Sequence, residues 1–248
     1  MRYVISDIHG RYDQYLQLLK KINFSLEDDL YILGDVVDRG PEPIKVLQDI
    51  MQRPNVIFIL GNHELMMYLI LKRLSAEITE ENCETQLTAE IIAGYQLWMQ
   101  NGGATTAQKF RQLPRAAQQE ILDYISDASL YETIIHNGRK YILVHAGLAH
   151  FSQDKALTDY DIYDFLEVRT DYSRRYYPDA NTYLVTGHTP TMLIDDWNKP
   201  EVYQKNGHIA IDCGCSMGGQ LAAYCIETGG VTYVRGRYGM LDEGWDNR

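Results

Sequence analysis

The chain carries RYVISDIHG at residues 2–10, YILGDVVDRG at residues 31–40 and VIFILGNHE at residues 56–64. Each stretch begins as an apolar run, typical of a strand buried on both faces, and ends in polar residues. Apolar residues at helical spacing separate the three stretches, so the predicted order is strand, helix, strand, helix, strand. Such a unit forms a parallel sheet and brings the three polar ends to one edge of it.

The rest of the chain predicts two further regions. Residues 75–128 are rich in Glu, Gln, Ala and Thr and have helical periodicity, which indicates a helical insert or cap. We assign no chemistry to this insert, and we interpret Trp98 as a core residue. After residue 130 the pattern is that of strands, with a hairpin turn at Asn137-Gly138. These strands predict a second, more antiparallel sheet packed on the first.

Composition limits the possible functions. The 248 residues suit a single domain, and 45% hydrophobic residues are enough for a globular core. A formal net charge of −11 argues against a nucleic-acid partner, which would require a basic face. No apolar run is long enough to span a membrane, and the first strand begins at residue 2, so we expect a cytoplasmic protein. We expect its four cysteines to be reduced thiols.

The polar strand ends supply ligands for two metal ions. Asp7 and His9 stand two residues apart in an extended segment, so both side chains can face one cation. Asp35 follows the neighbouring strand and can bridge two cations about 3.5–4 Å apart. An amide and two later histidines also follow strands. The predicted ligands are Asp7, His9 and Asp35 for the first ion, and Asp35, Asn62, His145 and His188 for the second.

The type of ligand narrows the choice of metal. Oxygen and imidazole ligands without a thiolate favour Mn, Fe or Zn over a closed structural zinc site. A single histidine after a strand is more often structural, and we leave His136, His150 and His208 in that role. The joint set favours a metal centre, because every member follows a buried strand.

Three further residues fit the hydrolysis of a phosphoester. Arg39 offers a planar pair of donors for a phosphoryl group. His63 can protonate the departing oxygen, and Asp38 can hold that imidazole in place. We interpret Glu64 as a carboxylate at a helix start, stabilised by the helix dipole.

The motifs resemble those of a known family. DIHG (residues 7–10), GDVVDRG (34–40) and GNHE (61–64) resemble the signature blocks of the phosphoprotein phosphatases, within the calcineurin-like metallophosphoesterases. VHAG (144–147) and GHTP (187–190) resemble the two later metal-histidine blocks. The similarity reaches to about Val234, and the chain looks like bacterial and phage members.

The resemblance implies the fold and one more site residue. It implies a central β-sandwich flanked by helices, which agrees with the two sheets expected from the strand pattern. The predicted fold class is α/β: a four-layer, two-sheet sandwich of mixed strands, with residues 75–128 as an insert in a single domain spanning residues 1–248. The family pattern also identifies Arg169 as the second phosphate-binding arginine.

The resemblance also implies a reaction. It implies a metal-dependent phosphomonoester hydrolase, first of all a serine/threonine protein phosphatase, that uses a metal-bridging water as nucleophile. The substrate would be a phosphorylated protein or a small phosphoester. The alternative is a symmetrical bis(5'-nucleosyl)-tetraphosphatase, and because such enzymes tend to have Asp after Asn-His, Glu64 favours the phosphatase. A non-catalytic phospholigand-binding protein is disfavoured because all the proposed machinery is present. The oligomeric state stays open.

Overall fold

Two mixed β-sheets flanked by helices make up the fold, in agreement with the predicted class. The computed structural model describes residues 1–75, 79 and 88–235. Within these ranges each sheet has five strands. No described helix is long and apolar enough to cross a membrane.

The first sheet is built on the three N-terminal stretches. β1 (Arg2–Ile5), β2 (Asp29–Leu33) and β3 (Val56–Ile59) pair in parallel as predicted. The crossover helices are α1 (Tyr12–Lys21) and α2 (Pro43–Met51). The three polar stretches therefore meet at the carboxyl edge of this sheet.

The following helices agree with the predicted periodicity, with one shifted boundary. They are α3 (Asn62–Ser75), α4 (Ala89–Gln100), α5 (Ala104–Arg111) and α6 (Arg115–Ser126). The apolar pattern of α3 predicts a start at Leu65, but the backbone N–H of Leu65 donates to the Gly61 carbonyl. Asn62 and His63 therefore lie in the first helical turn. Residues 76–78 and 80–87 of the predicted insert lie outside the described ranges.

The second sheet holds the middle strands and is more mixed than expected. Its strands are β4 (Tyr131–His136), β5 (Arg139–Val144), β6 (Thr182–Thr186), β7 (Tyr203–Lys205) and β8 (His208–Ala210), in the order β4-β5-β6-β8-β7. The helix α7 (Ile162–Leu166) lies between β5 and β6 in the chain. Two of its pairings are antiparallel, including the predicted β4–β5 hairpin, and two are parallel.

The last two strands correct the predicted arrangement. We expected β9 (Gln220–Cys225) and β10 (Val231–Arg235) in the second sheet, but they extend the first. β9 pairs antiparallel with β1, and β10 pairs with β9. The physical reason is that the order β1-β2-β3 leaves one side of β1 unpaired, and β9 occupies that edge.

Alternate residues of the strands explain how the layers pack. Val4 and Leu33 belong to the core cluster between the sheets, together with Tyr141 of β5. Ile5 and Ile32, one position away along the same strands, belong to the cluster under the helices. Because side chains alternate across a strand, each of these strands is buried on both faces.

Candidate active site

Five parallel strand ends carry the predicted ligands. Three of the strands, β1, β2 and β3, belong to the first sheet, and β5 and β6 belong to the second. The side chains that follow them are Asp7, His9, Asp35, Asn62, His145 and His188. The structure brings all six together in a closed ring of contacts.

One side of the ring is formed by two carboxylates and an imidazole. His9 Nε2 lies 3.9 Å from an Asp7 oxygen and 3.7 Å from an Asp35 oxygen. His9 Nδ1 lies 2.9 Å from the Val37 carbonyl, which can only accept, so this nitrogen carries the proton. The Nε2 lone pair therefore faces the carboxylates. Burial lowers the pKa of His9 well below its usual value, which keeps this imidazole neutral.

The other side of the ring shares Asp35. His145 Nε2 lies 3.5 Å from an Asp35 oxygen and 2.9 Å from Oδ1 of Asn62. The His145 Nδ1–H donates to the Leu33 carbonyl at 2.7 Å, so Nε2 is again a free acceptor. His188 Nδ1 lies 3.1 Å from the same amide oxygen, and burial, with the nearby His145, lowers the pKa of His188 to about 3.

A backbone contact closes the ring. The N–H of His188 donates to Asp7 Oδ2 at 3.0 Å, which ties the loop after β6 to the loop after β1. Burial and the charge of Asp35 raise the pKa of Asp7 well above its usual range. Burial alone would do the same to Asp35, but the surrounding imidazoles, His145 first, outweigh it and lower its pKa.

These donors fit divalent cations. Among the described residues, two groups of side chains have ligand atoms within 4.8 Å of one another: His9, Asp35 and His63, and Asp35, His145 and His188. Asp35 belongs to both groups, as a carboxylate between two ions would. Neutral imidazoles and carboxylates that converge without enough N–H donors between them are the usual surroundings of a bound metal.

An imidazole–carboxylate pair lies beside the ring. His63 Nδ1 is 2.7 Å from Asp38 Oδ2, and both side chains are buried. Burial disfavours the charged form of the His63 imidazole, but the charge of Asp35 and the hydrogen bond to Asp38 outweigh this effect and raise the pKa of His63. His63 Nε2 faces the ring, 3.9 Å from an Asp35 oxygen. The exposed guanidinium of Arg39 lies 3.0 Å from this nitrogen and 2.7 Å from His9 Nε2.

Arg169, the second predicted arginine, lies near one member of the ring. Its side chain is exposed, in the segment after α7. It lies near enough to His188 for its positive charge to contribute to the lowered pKa of the His188 imidazole. Arg169 therefore belongs to the rim of the site.

Comparison with known proteins agrees with this geometry. Residues 2–234 match the family model described as calcineurin-like phosphoesterase. The chain belongs to this family. It is therefore a hydrolase with a metal site.

The relatives of this phosphoesterase carry more specific names. A Geobacillus protein named bis(5'-nucleosyl)-tetraphosphatase PrpE [asymmetrical] is 26% identical over 249 residues, which is 89% of this chain and 88% of the relative. A Wigglesworthia glossinidia brevipalpis protein named bis(5'-nucleosyl)-tetraphosphatase, symmetrical, is 39% identical over 87 residues, or 34% of this chain and 32% of the relative. A solved structure described as a candidate diadenosine tetraphosphatase has a TM-score of 0.63 at 19% identity and covers 95% of this chain and 93% of its own.

Glu64 of the phosphoesterase has a different role from the one predicted. Its carboxylate accepts backbone N–H groups from Asp35 and Val36 at 2.8 Å, from Val37 at 3.1 Å and from Gly61 at 3.2 Å. Burial and the charge of Asp35 raise the pKa of Glu64 to about 7. Glu64 therefore holds the loop after β2 in place and is not simply a charge at a helix start.

The insert of the phosphoesterase contains two residues that the sequence analysis missed. Trp98 and Thr106 are both fully buried, and both donate to the carboxylate of Asp38. Helical periodicity identifies Trp98 as a core residue but does not indicate what its N–H contacts. The one sequence signal nearby is the break at Asn101-Gly102-Gly103, which ends α4 close to the site.

Strained backbone is concentrated at this site. Six residues around it are not glycine and yet have φ between 46° and 67°. They are Asp7, His9, Asp35, Asp38, Arg39 and His188. Left-handed backbone costs an L-residue about 1–2 kcal/mol. Hydrogen bonds and packing around the site must therefore hold these loops.

Proposed function

We propose that this phosphoesterase hydrolyses dinucleoside tetraphosphates. The reaction type is supported by the ring of metal donors with Arg39 beside it. The substrate is supported by one observation above all: a relative that aligns with 89% of this chain is named a bis(5'-nucleosyl)-tetraphosphatase. Glu64, which had favoured a protein phosphatase, is buried and contacts backbone N–H groups inside the protein, so it is not placed to contact a substrate.

The metal ligands are proposed from the ring. The first ion would be held by Asp7, His9 and Asp35, and the second by Asp35, Asn62, His145 and His188. The absence of a thiolate from these ligands supports Mn, Fe or Zn. When bound, the ions would lower the pKa of a water nucleophile and neutralise the phosphate charge.

The remaining residues would bind the substrate and transfer a proton. Arg39 and Arg169 would hold the phosphoryl oxygens and stabilise the charge that develops on them. His63 would protonate the departing oxygen through Nε2, because Nδ1 is engaged with Asp38. We therefore assign His63 as the acid and not as a metal ligand, although its Nε2 also lies near Asp35.

A substrate panel tests the proposal. With Mn²⁺ present, we expect kcat/KM for diadenosine tetraphosphate to exceed that for a phosphoserine peptide by about tenfold or more. Chromatography of the nucleotides gives the position of cleavage: two diphosphates for symmetrical cleavage, or a triphosphate and a monophosphate for asymmetrical cleavage. Asp35→Asn, purified in the same way, is the control for contaminating activity, because it alters the carboxylate proposed to bind both ions. Faster hydrolysis of the phosphopeptide would overturn the proposed substrate.

A second candidate is favoured by the acid pair. A phosphomonoester, whether a small metabolite or a phosphorylated protein, leaves an alkoxide, which is a much stronger base than a nucleotide phosphate. Such a leaving group depends more on protonation, and the buried His63–Asp38 pair is suited to supply it. Small alkyl phosphates therefore belong in the same panel.

A further inference from the structure

The insert contacts Asp38 and Arg39, two residues of the loop after β2. Trp98 of α4 and Thr106 of α5 reach the side chain of Asp38. Between these helices, the Gly102 carbonyl accepts the backbone N–H of Arg39 at 3.0 Å. We call Trp98, Gly102 and Thr106 the Asp38 clamp.

The clamp and His63 together occupy both carboxylate oxygens. Asp38 Oδ1 accepts the Thr106 hydroxyl at 2.6 Å. Oδ2 accepts two donors, the Nε1–H of Trp98 at 2.9 Å and the Nδ1–H of His63 at 2.7 Å. Trp98, Thr106 and Asp38 are 0% exposed, and His63 is 1% exposed. The direction in which Asp38 accepts from His63 is thus fixed by donors from the insert.

The clamp also holds the backbone. Asp38 and Arg39 have φ of 67° and 61°, in the left-handed region that L-residues avoid. The N–H of Asp38 donates to Thr106 Oγ1 at 2.9 Å, and the N–H of Arg39 donates to Gly102. A Cβ at Gly102 would lie 2.8 Å from Arg39 Cγ, so the close approach requires glycine there. Two neighbouring strained residues are therefore held from the same side.

We propose that Trp98 and Thr106 are positioning residues for proton donation by His63. By fixing the Asp38 carboxylate, they keep the His63 ring oriented with Nε2 towards the departing oxygen. The insert is then part of the catalytic centre and not only a cap over it. This inference rests on the proposed role of His63 as the acid, but not on the identity of the natural substrate.

The leaving group distinguishes positioning from simple stabilisation. A nitrophenolate departs with little help from an acid, whereas a phenolate needs more protonation. If His63 is no longer correctly oriented, the hydrolysis of phenyl phosphate should therefore slow more than the hydrolysis of 4-nitrophenyl phosphate. Loss of folded protein or of metal would slow both substrates by the same factor.

The kinetic test uses matched variants of the full chain with Mn²⁺. Thr106→Val removes the hydroxyl at nearly constant volume, Thr106→Ser restores it, and Trp98→Phe removes the indole N–H. We expect kcat for phenyl phosphate to fall about tenfold or more in Thr106→Val and Trp98→Phe, part of the 10²–10⁴-fold that an acid contributes. For 4-nitrophenyl phosphate we expect less than about a threefold loss, since that substrate depends little on the acid. The ratio of the two rates should return towards wild type in Thr106→Ser.

Two further variants set the upper and lower limits of the expected effect. His63→Ala gives the full loss of acid catalysis. Trp197→Phe is the matched control, because the Trp197 N–H donates to the Glu201 carbonyl, away from Asp38. If both substrates slow equally in Thr106→Val and in Trp98→Phe, or if neither substrate slows, the positioning role is wrong.

A spectroscopic readout does not depend on turnover. In protein labelled with ¹⁵N-histidine, the Nδ1–H of His63 should give a protected, low-field proton signal because it is buried and bonded to Asp38. We expect this signal to broaden or move in Thr106→Val and Trp98→Phe and to remain in Thr106→Ser and Trp197→Phe. An unchanged signal in both altered variants would overturn the inference even if their rates were lower.

Failure of the proposed function would look different. If wild type cleaves the aryl phosphates but not diadenosine tetraphosphate, the proposed substrate is wrong, and the clamp is still tested by the two aryl esters. If wild type cleaves diadenosine tetraphosphate and the ratio of aryl rates does not change in the variants, the clamp inference alone is wrong.

Discussion

Glu64 and Trp98 show how much the role of a residue depends on what it contacts. In sequence, Glu64 follows a metal-ligand motif, and Trp98 is one apolar residue on a helix. In the fold, Glu64 accepts four backbone N–H groups, and Trp98 donates to Asp38. Apart from the N–H of Gly61, the groups that Glu64 and Trp98 contact are 27 or more residues away in sequence, so no local pattern could have predicted these contacts.

Glu64→Asp tests whether this residue affects the choice of substrate. The shorter side chain cannot reach all four N–H groups, so we expect the protein to lose about 1–3 kcal/mol of stability. The ratio of kcat/KM for diadenosine tetraphosphate and for a phosphopeptide should stay the same, because Glu64 is buried under the loop. Urea unfolding and the substrate panel measure the two effects.

Glu120→Asp, an exposed substitution on α6, is the matched control. We expect it to change neither stability nor the substrate ratio. A shift of the ratio towards the dinucleotide in Glu64→Asp would mean that Glu64 does influence specificity.

At the scale of elements, the strand order depends on contacts between the two ends of the described chain. β9 pairs with β1, and Glu227, just beyond β9, contacts the first strand. Its carboxylate accepts the backbone N–H of Arg2 at 2.8 Å and the Arg2 Nε–H at 2.7 Å. Partial burial would raise the pKa of Glu227, but these hydrogen bonds outweigh it and lower the pKa to about 2.

The lowered pKa predicts how this contact depends on pH. A carboxylate with a lowered folded-state pKa stabilises the protein above its unfolded pKa, and the stabilisation is lost as pH falls towards the folded value. We therefore expect Glu227→Gln to cost about 1–2 kcal/mol at neutral pH, as for a partly exposed charged hydrogen bond. The difference from wild type should shrink below about pH 4.5, because Glu227 then takes up a proton in the unfolded state while it is still ionised in the folded state.

Urea unfolding of wild type and Glu227→Gln between pH 7 and about pH 3.5 measures this difference. Glu120→Gln is the control on an exposed helix surface. A difference that stays constant over the whole range would show that the charge of Glu227 is not the source of its stabilisation.

The sequence predicted elements better than their assembly. Strands that are buried on both faces leave an apolar run, which is why β1, β2, β3 and the polar residues after them could be located. The partner of a strand leaves no such local signal. The position of β9 beside β1, the three-residue strand β7 and the helical start at Asn62 therefore emerged only from the three-dimensional structure.

At the scale of the whole molecule, the proposed metal centre joins the two sheets. Asp7, Asp35 and Asn62 follow strands of the first sheet, and His145 and His188 follow strands of the second. A ligand that binds the folded state alone stabilises it, so an ion held by both halves should stabilise the sandwich as a unit.

Thermal unfolding with and without Mn²⁺ tests this coupling. At about a hundredfold excess over Kd, binding contributes about 2.7 kcal/mol. For a chain of this size that corresponds to a rise in Tm of about 5–10 °C. We expect His145→Ala to lose most of this rise, because it removes a donor of the second sheet. His150→Asn is the control, since Asn tolerates the left-handed backbone at that exposed position. An equal rise in His145→Ala would contradict a role for His145 in binding.

The six left-handed residues around the ring have a consequence for anyone who engineers this enzyme. Glycine at any of them would relieve local strain of about 1–2 kcal/mol, yet it would also delete a proposed metal ligand, the proposed phosphate-binding Arg39 or the carboxylate that contacts the proposed acid. A library selected only for survival on heating would accordingly enrich inactive clones at these positions. Heat-tolerant variants of this scaffold should be sought elsewhere in the chain, with turnover scored in every round.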